Sequence, residues 1–142
     1  MSVAGLYEML RSNLVDAGIW GSRVFADAAP AGVERPYCVY FVVSGGADNV
    51  RAGLRDASYV VTVKCVADDL GTSLQGAGQI NAVLHDRGGG DRIQDLIQPD
   101  GWYVMTVTAD RVVHLVERFE GAVPIYHDGQ QFLVVMEAKY GY

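Results

Sequence analysis

The chain has 142 residues, 50% hydrophobic and 20% charged, an ordinary globular composition whose length predicts one domain, 1–142, and not two. Its 17 acidic and 11 basic residues leave a net charge of −6, so the surface as a whole repels a polyanion and disfavours sequence-specific nucleic-acid binding. A chain of this size buries roughly 68–70% of its unfolded surface, enough for a core without metal or disulfide staples; the start of the chain lacks a signal-peptide pattern and no apolar run reaches about 18 residues, so neither export by a leader nor membrane spanning is expected.

Val3, Leu6, Met9, Leu10 and Leu14 recur at helical spacing and predict an amphipathic helix over 3–16, with Ser2 as N-cap and Gly18 as its stop. The stretch 26–36 has no periodicity, and Pro30 and Pro36 favour an ordered, irregular connection. Tyr37 to Val43 is aromatic and β-branched on both alternating faces, the pattern of a central strand covered on two sides. Ala57 to Val66 alternates more cleanly, with Tyr59, Val61, Val63 and Cys65 on one face and Ser58, Thr62 and Lys64 on the other, so one side meets the core and the other is partly wet.

Between these strands, Ser44 to Asp56 is longer than a tight hairpin needs, and a glycine-bearing excursion of that length predicts a contact element. Asp68 is placed to cap a second helix whose Leu70, Leu74, Ala77, Ile80, Val83 and Leu84 face the sheet, ending at Gly88-Gly89-Gly90. Strands follow at Trp102–Ala109, Arg111–Phe119 and Gln130–Lys139. The expected fold is α+β: an antiparallel-rich sheet of about four to five strands packed by two helices on one face.

Chemistry-bearing patterns are sparse. His85, His114 and His127 have no metal-ligand spacing, and Cys38 and Cys65 lie in apolar strands, where a thiol behaves as a small buried hydrophobe. Neither glycine cluster has the spacing of a phosphate-binding loop. The carboxylate pairs Asp68-Asp69, Asp86 with Asp91 and Glu117 with Glu120 are explained by capping and solvation. No catalytic, cofactor-binding or metal-binding residue is therefore assigned, and the chain is not expected to be an enzyme.

Arg51 and Arg55, four apart in the long loop, are the best candidate contact patch, weighed against a solvated loop with local ion pairs. Eight tyrosines suit protein interfaces; Tyr126, Tyr140 and Tyr142 cluster near the last strand, and half-buried strand tyrosines remain the alternative for each.

The order of these elements resembles the tail terminator, or tail completion, proteins of long-tailed bacteriophages, prophages and gene transfer agents. The resemblance lies in the Leu6, Leu10, Leu14 helix, Arg23-Val24-Phe25 leading to Ala29-Pro30, and Arg35-Pro36-Tyr37-Cys38-Val39-Tyr40. It continues through the glycine-bearing loop, the Tyr59-Val60-Val61-Thr62-Val63 strand, the Leu70–Leu84 helix, and a Tyr126-His127-Asp128-Gly129 turn before the Phe132–Tyr140 strand. It implies a structural virion protein at the tail–neck junction, made in the host bacterial cytoplasm. Such proteins form a ring, typically a hexamer, that caps the tail tube, ends its polymerisation and provides the head–tail joining surface. Implied partners are further copies of the chain, the tail-tube protein and a head–tail connector or stopper, with DNA passing through unbound and no cofactor.

A ring above two-fold needs two different self-surfaces, to which the apolar outer positions Tyr40, Val42 and Val60 are expected to contribute. The alternatives are a head–tail adaptor or stopper of the neck, and a small cytosolic enzyme or ligand-binding domain with a cleft near Cys38, His114 or His127.

Overall fold

The computed structural model describes residues 2–48, 56–85, 96, 97, 99 and 101–138. Helix α1 spans Ser2–Asp16. Strands β1 (Val24–Ala26), β2 (Tyr37–Asp48) and β3 (Asp56–Ala67) follow, then α2 (Leu70–Leu84), β4 (Trp102–Glu117) and β5 (Ile125–Ala138). The strands form one mixed sheet in the order β1-β2-β3-β5-β4. β1 runs parallel to β2, and every other neighbouring pair is antiparallel. The fold is the expected α+β class, with the sheet mostly antiparallel.

Both helices lie on the same face of the sheet because the alternation of β3 and β5 leaves one continuous apolar side. Tyr59, Val61, Val63 and Cys65 of β3 and Phe132, Val134 and Met136 of β5 are all buried with Leu6, Met9, Leu10 and Leu14 of α1 and Ile80 and Leu84 of α2. Gly18, just past α1, has φ +74°, a conformation that costs glycine nothing and ends the helix as the sequence indicates.

Several boundaries differ from the expectations. The centre of the sheet is β3, while β2 is flanked by a three-residue β1, at the start of the proline-bearing connection, that was not among the expected strands. Only main-chain pairing with Cys38, Val39 and Tyr40 makes β1 a strand, and periodicity cannot register so short a segment. Ser44–Asp48 and Asp56 belong to β2 and β3: a bulge between Val42 and Ser44 lets the ladder pass Gly45, at φ +122°, and continue. The excursion is thus shorter than it reads. Residues 49–55 and the Gly88–Gly90 terminator lie outside the described residues.

The two expected strands around Asp110 are one, β4, with bulges between Val104 and Thr106 and between Ala109 and Arg111. Their partner β5 starts at Ile125, so Tyr126-His127-Asp128-Gly129 is strand and not turn. Gly129 serves close approach instead: a Cβ there would collide with the backbone of Val63 and Lys64.

In α2 the N-cap is Asp69, whose carboxylate accepts from the Thr72 N–H (2.8 Å) and hydroxyl (2.8 Å). Its buried face is Ser73, Gly76, Ala77, Ile80 and Leu84, while Leu70 and Leu74 stay exposed. The helix is rotated relative to its apolar pattern because Gly76 sits against the Cys65 side chain, where a Cβ has no room.

Candidate functional site

The polar groups on the helix-covered side converge on Asp128. It is 2% exposed and lies on β5 opposite His114 of β4 and Cys65 of β3. Its Oδ2 accepts a hydrogen bond from the Ser73 hydroxyl (2.5 Å), and its Oδ1 lies 2.5 Å from His114 Nδ1. The order is serine, carboxylate, histidine. In it the hydroxyl meets the carboxylate and not the imidazole, so His114 is not poised to take its proton, and Ser73 has no exposed surface. This trio pins α2 and β4 to β5. Two residues further on, Gln130 Nε2 donates to the Ala77 carbonyl of α2 (3.1 Å).

On the opposite, helix-free face, His127 Nε2 pairs with the Glu117 carboxylate. Burial first, and the nearby Lys64 charge second, push the imidazole below its ordinary pKa, against the pull of Glu117. Its Nδ1 has no hydrogen-bond partner. Lys64 places its ammonium 5.6 Å from the Phe41 ring centroid. Cys38 and Cys65 face each other across the β2–β3 ladder as free, buried thiols. Desolvation raises the pKa of both, the reverse of an activated nucleophile. Among the described residues no group of three His, Cys, Asp or Glu side chains is placed to hold a metal ion.

The candidate contact residues separate. Arg51, Arg55 and Tyr140 lie outside the described residues. Tyr40 is 2% exposed and stacks edge-on to Tyr7 in the core, so it is not an outer position. Val42 packs against the same core, because even-numbered β2 residues before the bulge point to the helices. Val60 alone of those three lies on the helix-free face, opposite Leu133. Tyr126 is half-buried, between Ala67 and Val116 in the ladder.

Sequence reasoning missed the concentration of exposed apolar surface on one element. Of the twelve large hydrophobic side chains exposed among the described residues, seven lie on β4, β5 or their turn. The signal was present in Val112, Leu115, Phe119 and Val123, but a β-rich run reads equally well as core until its neighbours are known.

The structure is thus an α+β domain whose exposed apolar surface is gathered on the β4–β5 hairpin. The sequence from residue 4 to 114 matches the family model described as Tail completion protein gp17. The chain belongs to that family and is a structural protein of the phage tail, a virion component and not an enzyme. Its fold is similar to a chain in the solved virion of a native gene transfer agent particle, with a TM-score of 0.59 and 21% identity over 95% of this chain and 93% of that one. Comparison with the curated proteins gives no match. Among the described residues no helix is long and apolar enough to cross a membrane.

Proposed function

We propose that this protein assembles as a ring, of six copies, on the end of a completed tail tube, where it stops polymerisation and provides the surface that joins tail to head. The family match over residues 4–114 carries this reading. Its neighbours are then further copies of itself, the tail-tube protein on one side and a connector or stopper protein on the other. A net charge of −6 suits a ring through which DNA slides, because like charge keeps the duplex from adhering to the wall. The exposed apolar hairpin is the kind of surface that assembly covers.

The test is electron microscopy of particles made without this protein. Overlong tails that fail to join heads are the expected outcome. Tails of normal length that lack only the head connection identify a neck adaptor or stopper instead.

A further inference from the structure

We infer that the outer half of the β4–β5 hairpin docks into the cleft between the α1–β1 loop and α2 of a second copy of this chain, in a head-to-tail contact; this rests on the ring reading above. At Ala109 the outer edge of β4 is still covered, its N–H donating to His85 Nδ1 at the end of α2 (3.1 Å). From Arg111 to Glu117 no described strand pairs with that edge. The side chains there are also uncovered: Val112 is 82% exposed, and beyond the strand Phe119 and Val123 are 57% and 69% exposed. Exposed apolar side chains gathered in this way mark a surface that another chain covers.

The size is adequate. The free edge runs about 24 Å at about 3.4 Å per residue. This exceeds the ~17–20 Å of a typical strand, and exposed apolar side chains line it at Val112 and Leu115.

The charges fit a second copy. Copies of a protein with net charge −6 repel, so self-contact is favoured where local charge is lowest. The arm carries Arg111 and Arg118 against Asp110, Glu117 and Glu120, close to balance. The cleft is an opening of about 110 Å³ lined by Ile19, Trp20, Pro36, Thr72, Gln75 and Gln79 among others, with no charged residue in its wall. An apolar tip entering an uncharged cleft leaves no ion desolvated and unpaired.

The positions fit a ring. The cleft lies toward the β1 side of the sheet and the arm on the β4 side, the two extremes of the strand order. Both are at the same end of the strands, because Tyr37 is level with Val66, Val66 with His127, and His127 with Leu115. A contact between two different flanks is heterologous and is the kind that closes rings larger than dimers.

The experiment pairs an arm variant, Val112→Asp with Phe119→Asp, and a cleft variant, Gln75→Arg with Gln79→Arg. Each is checked for a wild-type thermal melt and then followed by sedimentation, alone and with isolated tail tubes. We expect either variant alone to associate at least tenfold more weakly than wild type. An equimolar mixture is expected to stop at the 1:1 heterodimer, since one good arm then meets one good cleft. Assembly of the arm variant like wild type overturns the inference while the ring reading stands. Loss with the arm variant but not the cleft variant assigns a two-fold pairing of β4 edges and also overturns it. Wild type that stays monomeric at every concentration and leaves tubes uncapped overturns the ring reading, and this contact with it.

Discussion

Asp128 and His114 face each other across the β5–β4 ladder with Oδ1 2.5 Å from Nδ1, while the other carboxylate oxygen holds the Ser73 hydroxyl of α2. One side chain thereby joins the central sheet, the covering helix and the base of the exposed arm. Replacing Asp128 by alanine leaves the buried Ser73 hydroxyl only its long contact with the Cys65 carbonyl (3.5 Å), at a cost of about 1–3 kcal/mol. Urea denaturation of the single variants and of Asp128→Ala with Ser73→Ala checks this. The serine substitution is expected to cost little once the carboxylate is gone, and additive losses would show that the two groups do not act together.

Two glycines of α2 are expected to respond in opposite ways to alanine. At Gly76 a Cβ meets the Cys65 side chain, whereas at Gly78 it meets nothing within 4 Å. Gly78→Ala should stabilise by about 0.5–1 kcal/mol, the helix-propensity difference. Gly76→Ala should destabilise by about 1–3 kcal/mol, the range for overpacking a filled core. Thermal melts of the two variants give the signs directly.

Burial raises the pKa of the Cys38 and Cys65 thiols, so neither should react with iodoacetamide in the native protein at neutral pH, and both should react once it is unfolded. Their joint replacement by alanine is expected to lower stability by a few kcal/mol, about the cost of removing buried volume, without abolishing assembly. Failure to assemble in a folded double variant would assign a thiol a bridging role.

His127 predicts an acid-sensitive fold. Its pKa is held below the unfolded value, chiefly by burial and next by Lys64, so below about pH 6.5 the unfolded chain takes up the proton more readily than the native one. Stability should therefore be complete above about pH 6.5 and decline as the pH falls toward the native value. His127→Gln should flatten that part of the profile, and an unchanged slope would place the proton uptake elsewhere.

Residue patterns alone determined the fold class, α1 and the inward face of β3, because each depends on periodicity within a single segment: Leu6, Leu10 and Leu14 at helical spacing, Tyr59 to Cys65 at a spacing of two. They also pointed away from an enzyme, as the family bears out, and the order of the chain's segments carried the family. Whatever depends on a neighbour was decided by tertiary structure. β1 is a strand only because β2 lies beside it. Gly129, a turn residue by the resemblance, is a strand residue because it pairs with Lys64 and Val113, and it is glycine because β3 approaches too closely for a Cβ. Leu70 and Leu74, core residues by their spacing, are exposed because the fit of Gly76 onto Cys65 fixes the rotation of α2. The apolar positions of β4 divide in the same way: Val104 and Val107 are buried in the core, while Val112, further along the same edge strand, is exposed. Hydrophobicity states that a side chain favours burial, and only the packed structure shows which ones stay exposed.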